Sequence, residues 1–565
     1  MRRLGVMAMT LAATAAVLLP APAASAPVGP LGAPITLGTG VAPPGASQQL
    51  AVLPDGTVAA AWADASGASL VVRVRPAGNS SWGAPTVIPL APGWSASGAV
   101  FPSLQQLVLR AAGPMHFLLV WRERNGSFQR IQAQRLSRSG APVGSHTVLA
   151  GPDYVYLADV ATNASGRAAV SYFTDASPTP FSVRVRDTES SSWRPAVTVT
   201  SVPVASIPGP WAFVSRVAVH SSGTVCAIGS ASFTPSTVAV RSKCAPPAAL
   251  GSAATQPVGT FTDTTTIGSL GPLVTMAATP EGFIVAGIAA STGTVPFPIL
   301  APVMPTVVRV RERPADSGAW VTAATLGQPG EVNVLPLALA SAGGALVQFE
   351  RLRGAVGSDS GSPGYGVDQR VAQQQGSGAW TPALTVSSLG ISSSESIVPL
   401  LSAAALGPAG EVLVSAPVPQ PAAPLWTTGF VRRSSWSGTW SSSTGMGVTT
   451  TSGLVIAASG RATALGVQFG TGDVIVVQSA LPKPFVRQSA RITAVPRVGV
   501  ASVCGFAFTD AASITRQWRV NGVVRSTASK YTPTSADRGK TLVCRVTAAN
   551  PTGTTVSASP GRTVA

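Results

Sequence analysis

The sequence has few charged residues, cysteines and histidines for its length. Charged side chains make up 10% of the 565 residues and hydrophobic ones 45%, so there is material for a core but little for charge-patterned coiled coils. Four cysteines without a Cys-x-x-Cys pair, and three histidines in separate segments, are too scattered for a zinc site. We therefore predict no metal and no cofactor.

No apolar run reaches the roughly 20 residues that a membrane-spanning helix needs. Arg2 and Arg3 precede an apolar segment over residues 4–19, and small residues follow at 21–26. This pattern predicts a signal peptide over residues 1–26, with cleavage near residues 23–26. We expect a secreted, extracellular monomer, either free or associated with the cell surface, without a membrane span in its mature form.

Lysine is nearly absent from a strongly basic chain. The formal net charge is +17, yet 34 of the 38 basic residues are arginine, a bias typical of an actinobacterial-type, high-GC composition. The arginines are spread along the chain without the basic run of a nucleic-acid site, so we predict no nucleic-acid partner. A basic exported protein can still be attracted to anionic wall polymers.

A glycine turn followed by a small, apolar strand recurs about every 58 residues. Its glycines are Gly56, Gly113, Gly166, Gly223, Gly282, Gly344, Gly410 and Gly460. Such a fixed period indicates a solenoid or a propeller. Each unit is predicted to hold four strands, and in five units a tryptophan opens the fourth: Trp82, Trp193, Trp320, Trp380 and Trp440.

The last repeat lacks a fourth strand, and a matching segment stands near the N-terminus. LGAPITLG (31–38) is similar to WGAPTVIPL (82–90). A strand supplied from the other end of the chain would close the array into a ring and protect its edges. We therefore predict an all-β propeller over residues 30–486, with eight blades, or seven if the unit around Gly113 is not a true repeat.

The residues from about 490 onward have a different pattern. Cys504, Trp518 and Cys544 stand in segments that resemble a bacterial immunoglobulin-like domain, a small β-sandwich, here assigned to residues 487–565. The resemblance implies a Cys504–Cys544 disulfide and a role as a spacer or attachment unit. Cys226 and Cys244 fall on the second and third strands of one repeat, where a second disulfide is plausible and buried free thiols are the alternative.

The propeller region also resembles the sialidase-like and BNR-repeat superfamily. PADSGAW (314–320) and QQGSGAW (374–380) are similar to that superfamily's turn between third and fourth strands. The sequence has neither the Phe-Arg-Ile-Pro segment nor a recognisable Tyr–Glu pair of active sialidases. The resemblance therefore implies a fold and does not imply sialidase activity.

An aromatic residue stands beside a carboxylate at the end of the second strand in four repeats. The pairs are Trp62 with Asp64, Trp121 with Glu123, Tyr172 with Asp175, and Phe349 with Glu350. Equivalent positions surround one face of a propeller, and aromatic rings with carboxylates suit a sugar. Two such carboxylates at about 5–9 Å would form a glycosidase pair. The alternative is that the aromatics fill the core and the acids pair with arginines.

Arginines also recur on the third strands. Arg75 with Trp82 could form a sugar pocket between blades, although no glutamate or glutamine partner is evident; inter-blade bridging through buried arginine stems is the alternative. We predict a non-enzymatic binding or adhesion protein whose propeller binds an extracellular polysaccharide or cell-wall polymer. An exported, sialidase-like glycoside hydrolase and a purely structural interaction scaffold are the alternatives.

Overall fold

The structure is a computed structural model that describes most of the chain. The described residues are 31–39, 48–96, 106–203, 214–233, 237–262, 274–292, 305–316, 318–341, 343–356, 364–375, 378–391, 403–407, 410–419, 426–433, 440–443, 450–468, 471 and 473–565. These residues form β-strands and one short 3-10 helix, which confirms the all-β prediction. The predicted signal peptide, residues 1–26, lies outside the described residues.

The described residues before residue 480 form eight four-stranded antiparallel sheets. We number the sheets by their first strand in chain order, after β1 (Ile35–Gly38). Sheet 1 is β2 (Gln49–Val52), β3 (Val58–Ala63), β4 (Ser69–Arg75) and β5 (Thr86–Pro89). Sheet 2 is β6 (Leu107–Ala111), β7 (His116–Asn125), β8 (Phe128–Ser137) and β9 (Pro142–Asp153). Sheet 3 is β10 (Val155–Thr162), β11 (Ala168–Thr174), β12 (Thr179–Arg186) and β13 (Val197–Val202). Sheet 4 is β14 (Ser215–Val219), β15 (Val225–Phe233), β16 (Thr237–Ala245) and β17 (Gln256–Thr262).

The remaining sheets follow the same order. Sheet 5 is β18 (Val274–Ala278), β19 (Gly282–Ala290), β20 (Thr306–Pro314) and β21 (Val321–Leu326). Sheet 6 is β22 (Val332–Ser341), β23 (Gly344–Val356), β24 (Gly364–Gln375) and β25 (Leu384–Ile391). Sheet 7 is β26 (Ala404–Leu406), β27 (Val412–Pro419), β28 (Trp426–Arg433) and β29 (Trp440–Ser443). Sheet 8 is β30 (Thr450–Ile456), β31 (Ala462–Val467), β32 (Val474–Gln478) and β1.

The eight sheets close into a ring. The first strand of each sheet contacts the first strand of the next, and β30 contacts β2, so the first strands line the axis. β1 pairs antiparallel with β32 and completes sheet 8, as the similarity between residues 31–38 and 82–90 predicted. The ring is therefore a propeller closed by a strand from the other end of the chain. The unit around Gly113 forms a complete sheet 2.

The repeated glycine shapes the turn between first and second strands. In sheet 1 the Gly56 amide donates to the Leu53 carbonyl at 2.9 Å, and the Leu53 amide donates to the Thr57 carbonyl at 2.8 Å. Gly56 has a φ of 95°, in the left-handed region where a Cβ is disfavoured. The equivalent glycines of sheets 2, 3, 4, 7 and 8 also have positive φ between 79° and 95°. The left-handed turn explains the glycine in these six of the eight units.

The core lies between neighbouring sheets. Second strands such as β3 are buried along their whole length, because sheets cover both of their faces. Side chains from adjacent sheets meet in shared clusters, for example Leu70 and Val72 of sheet 1 with Leu109 and Phe117 of sheet 2. Small alanines and valines on the second strands let the sheets approach each other.

The residues after 484 form two further sheets. One consists of β33 (Phe485–Ile492), β34 (Ser502–Thr509) and β37 (Lys530–Tyr531). The other consists of β35 (Ser513–Val520), β36 (Val523–Ser526), β38 (Thr541–Asn550), β39 (Gly553–Ala558) and β40 (Arg562–Thr563), and the 3-10 helix spans Ser535–Asp537. The Cys504–Cys544 disulfide joins the two sheets beside fully buried Trp518.

The C-terminal sheets dock on turns of sheets 1 and 8. The Asp510 amide donates to the Asp55 carbonyl at 2.8 Å, and Thr509 Oγ1 donates to the Pro54 carbonyl at 3.1 Å. The Asp510 carboxylate accepts a hydrogen bond from Ser459 and lies 3.9 Å from Nη1 of Arg461. The C-terminal region thus covers the junction where the ring closes.

Both predicted disulfides are present. Cys226 of β15 is bonded to Cys244 of β16, directly opposite it in the strand register. Among the described residues, no helix is long and apolar enough to cross a membrane. The same residues contain no group of three or more His, Cys, Asp or Glu side chains placed to hold a metal ion.

Candidate functional site

The aromatic residues at the ends of the second strands are core residues. Trp62 is 3% exposed and packs between sheets 1 and 8, and Trp121 is 1% exposed between sheets 1 and 2. Tyr172 and Phe349 are likewise buried between neighbouring sheets. Neither tryptophan offers a ring face to a sugar, so burial contradicts their predicted stacking role. They fill gaps between blades, as the alternative proposed.

Two of the predicted carboxylates are held by local hydrogen bonds. Glu123 is 2% exposed and accepts hydrogen bonds from Trp121 Nε1 (2.9 Å), from Gln132 Nε2 (3.0 Å) and from Arg130. Asp64 accepts from Ser66 and Ser69 of its own turn at 2.9 and 2.5 Å. Burial alone would raise the pKa of Asp64, but these hydrogen bonds outweigh it, so the pKa lies below its usual value. Both acids therefore stabilise local structure.

The other two predicted carboxylates differ in exposure. Glu350 is 3% exposed within sheet 6, whereas Asp175 is exposed at the end of sheet 3. Of the six residues predicted to contact a ligand, Asp175 is the one that solvent reaches freely. A role for Asp175 in binding stays a prediction.

The recurring arginine and tryptophan side chains lie between neighbouring sheets. At several of these junctions they donate hydrogen bonds to the adjacent sheet. Arg75 Nη1 donates to Gln478 Oε1 of sheet 8 at 2.8 Å, which supplies the glutamine partner that the sequence did not reveal. Trp320 Nε1 donates to Ser242 of sheet 4 at 2.9 Å, and Trp380 Nε1 donates to Glu312 of sheet 5 at 2.7 Å. At these junctions the repeat positions hold neighbouring sheets together. The fourth strands of sheets 1, 3, 5 and 6 begin after their tryptophan, a small correction to the predicted boundary.

The junction between sheets 2 and 3 contains a cavity of about 190 Å³, which we call the inter-sheet pocket. Its apolar walls are Leu118, Ala133 and Val143. Its charged and aromatic residues are Arg135, Arg186, Glu189 and Trp193. Hydroxyl groups come from Ser145, Thr147, Ser190, Ser191 and Ser192. This volume is well above the roughly 10–15 Å³ that one water molecule needs, so the pocket has room for a small ligand group.

Arg186 is the most buried charged residue of the pocket. It ends β12, is 5% exposed, and its guanidinium carbon lies 5.3 Å from the centre of the Trp193 ring. Its Nε and Nη2 atoms have no hydrogen-bond partner among the described residues. Burial, with the nearby Arg135 charge, lowers the pKa of Arg186 to about 10 against the opposing effect of Glu189. The guanidinium therefore remains charged at neutral pH.

Glu189 links the two sheets at the edge of the pocket. Its Oε2 accepts a hydrogen bond from His116 Nδ1 of β7 at 2.7 Å. Its backbone carbonyl accepts from Arg135 Nη1 of β8 at 2.8 Å. Arg186 faces the pocket without such a bond, so two arginines and one carboxylate leave an excess positive charge.

The loop between β12 and β13 carries half of the pocket and is itself well braced. Asp187 and Arg194 form an ion pair of 2.7 Å across its base. The Thr188 amide donates to Ser191 Oγ at 2.9 Å. A braced loop presents its serines and Trp193 in a fixed arrangement, as a preformed binding site requires.

Sequence analysis identified some residues of the inter-sheet pocket but did not predict that they form a pocket. Arg186 stands on a third strand, where arginines recur, and Trp193 is one of the repeat tryptophans, but Arg135 and Glu189 did not stand out. The sequence feature that could have indicated the pocket is Glu189. It stands in a serine-rich turn between Arg186 of the third strand and Trp193. Pairing that turn with β8 requires the inter-sheet packing, which the sequence does not reveal.

No protein-family model matches the sequence. No curated protein matches it either.

Several solved structures are similar in fold. One is a polysaccharide lyase described as an ulvan lyase of a new family, with 8% identity over 80% of this chain and 94% of that one and a TM-score of 0.39. Another is an α-L-arabinofuranosidase mutant from Fusarium graminearum bound to an iminosugar inhibitor, with 12% identity, coverage of 56% and 92%, and a TM-score of 0.32. A third is the Hadza microbial sialidase Hz136, with 9% identity, 73% of each chain and a TM-score of 0.31. All three TM-scores are below 0.5, so these likenesses do not decide what this chain binds or does.

Proposed function

We propose that the protein binds extracellular glycans, and that its propeller holds a sugar unit in the inter-sheet pocket. The observation that carries this proposal is the pocket itself, where a buried guanidinium and a half-buried tryptophan stand among five hydroxyl side chains. An aromatic ring stacks on the C–H face of a sugar, and hydroxyl and guanidinium groups bond its oxygens.

The two parts of the chain have different proposed roles. Residues 30–486 form the glycan-binding propeller, and residues 487–565 form an immunoglobulin-like unit docked against it. The buried contacts of Asp510 favour a fixed attachment unit over a freely moving spacer. Two disulfides favour an oxidising, extracellular location.

We propose that the protein binds the glycan without catalysing its conversion. A carboxylate pair made of Asp64 and Glu123, the hydrolase alternative, has little support because both side chains accept hydrogen bonds within their own turns or sheets. Conversion of a bound oligosaccharide to smaller products would refute the non-enzymatic form while leaving glycan recognition in place.

A glycan array with the full-length protein tests the proposal. Trp193→Ala should abolish or weaken binding by about tenfold or more, because it removes the stacking surface. Trp94→Ala is the matched control, since Trp94 is also half-buried but stacks on Arg130, 3.9 Å from its ring centre. If the wild type binds no glycan, or if Trp193→Ala binds as well as the wild type, the proposed site is wrong.

A further inference from the structure

We infer that the inter-sheet pocket selects sugars that carry an anionic substituent, a carboxylate or a sulfate ester, which pairs with the guanidinium of Arg186. This inference rests on the proposed function, which places a sugar unit in this pocket. It adds the chemical class of the ligand and the residue that recognises it.

The first argument is the unpartnered charge. Arg186 is 5% exposed, and its Nε and Nη2 donors have no partner among the described residues. A buried charged group whose donors lack acceptors is costly, and an oxyanion beside a guanidinium is favourable because it brings opposite charge. A ligand oxyanion in the pocket would place that charge next to the Arg186 guanidinium.

The second argument is the charge balance of the pocket. Arg135 and Arg186 contribute two positive charges, and Glu189 is the one carboxylate among the lining residues. Glu189 is already engaged, because its Oε2 accepts from His116 and its carbonyl accepts from Arg135. The excess positive charge is therefore shared by Arg135 and Arg186, and it favours an anion over a neutral sugar.

The third argument compares Arg186 with the arginines at the equivalent position of the third strand in sheets 5 and 1. In sheet 5, Arg313 donates to the carbonyls of Gly318 and Pro314 at 3.0 and 3.2 Å. In sheet 1, Arg75 also has two unpartnered donors, but it bonds Gln478 and shares its surroundings with the Asp510 carboxylate. Arg186 differs from both because, among the described residues, no protein hydrogen bond of its guanidinium matches these, and it borders a cavity.

The test is a calorimetric titration of the full-length protein with a galacturonate trisaccharide, its carboxyl-reduced counterpart and a sulfated galactan oligosaccharide. We expect the carboxyl-reduced sugar to bind about 10- to 100-fold more weakly than the galacturonate, the range of a charge-assisted hydrogen bond. The sulfated sugar separates the two oxyanions: whichever of the two acidic sugars binds more tightly identifies the anion that the pocket prefers. This comparison of ligands needs no variant.

Variants test whether Arg186 causes the preference for acidic sugars. Arg186→Gln should lose the preference for acidic sugars, and Arg186→Lys should retain part of it because the charge remains but the planar fork is lost. Arg241→Gln, on an exposed position of β16, removes the same charge elsewhere and should bind as the wild type does. Circular dichroism and the melting temperature confirm that each variant is folded.

The outcomes separate this inference from the proposed function. Equal affinity for the acidic and carboxyl-reduced sugars would overturn the inference and leave glycan binding intact. Unchanged selectivity in folded Arg186→Gln, or an equal loss in Arg241→Gln, would overturn the role of Arg186. Failure of the wild type to bind any glycan on the array would refute the proposed function and this inference together.

Discussion

Asp510 gives the sharpest prediction about stability, because it is buried between the C-terminal sheets and the propeller. Its carboxylate is fully buried and faces two buried arginines, with Nη1 of Arg461 at 3.9 Å. At an effective dielectric constant of about 20, the attraction of one charge pair at this separation is about 4 kcal/mol. Burial of the carboxylate outweighs this attraction and the Ser459 hydrogen bond, and it raises the pKa of Asp510 above its usual value. Asp510→Asn keeps the shape of the side chain but removes the charge, so it leaves Arg75 and Arg461 buried without their counter-ion.

We therefore expect Asp510→Asn to lower the free energy of unfolding by about 4 kcal/mol, in the range for breaking a buried ion pair. Urea unfolding at pH 7, followed by tryptophan fluorescence, measures the change. Asp316→Asn, at an exposed turn of sheet 5, is the matched control and should change stability by less than about 0.5 kcal/mol. A loss below about 0.5 kcal/mol for Asp510→Asn would refute the argument.

Three further predictions concern acid stability, the inter-sheet disulfide and the repeated turn. Burial acts to raise the pKa values of Glu331 and Asp368, but hydrogen bonds and charges from Arg351 and neighbouring groups outweigh it, so both lie below their usual 4.5 and 3.8. The ionised carboxylates therefore stabilise the fold above pH 4.5, and this stabilisation is lost as the pH falls below these values. Urea unfolding of the wild type between about pH 3 and 6 should show the loss of stability. Asp368→Asn should show a smaller dependence of stability on pH. Replacing Cys504 and Cys544 by alanine opens a loop with a sequence separation of 40 and should lower the free energy of unfolding by about 4 kcal/mol, measured by urea unfolding; an unchanged midpoint would contradict this. Gly56→Ala should cost about 1–3 kcal/mol in the same assay, because φ is 95° and the new Cβ would stand 2.7 Å from Asp510 Oδ1, whereas Gly126→Ala, which has positive φ but open space, should cost less.

The docking of the C-terminal region also limits how its role can be tested. Deletion of residues 487–565 would remove Asp510 and expose the Arg75 and Arg461 side chains that it covers. Such a truncation would alter the propeller as well as remove the C-terminal region. Point variants in the pocket therefore give a cleaner answer about where the glycan binds.

The propeller could be predicted from the sequence because its features are local and repeated. A turn with left-handed backbone requires glycine, so Gly56 and its equivalents mark the units. The strand at residues 35–38 could be placed because its sequence is similar to the segment that begins at Trp82. Both signals depend on short stretches of chain and not on the packing between sheets.

The site could not be predicted in the same way, because it depends on packing between sheets. Trp62 and Trp121 alternate with carboxylates as a sugar site would, yet neighbouring sheets bury them, and a single strand does not reveal which face its neighbour covers. Arg135 and Arg186 belong to different sheets and meet only because sheet 2 packs against sheet 3. The arginine at this repeat position donates to backbone carbonyls in sheet 5 but borders a cavity in sheet 3.

A crystal structure of the full-length protein with its best-binding oligosaccharide tests the central claim most directly. The account predicts a sugar unit between sheets 2 and 3, stacked on Trp193, with an acidic oxygen within about 3 Å of the Arg186 guanidinium. A sugar bound elsewhere, for example at the end of the propeller axis, with the inter-sheet pocket holding only water, would contradict it.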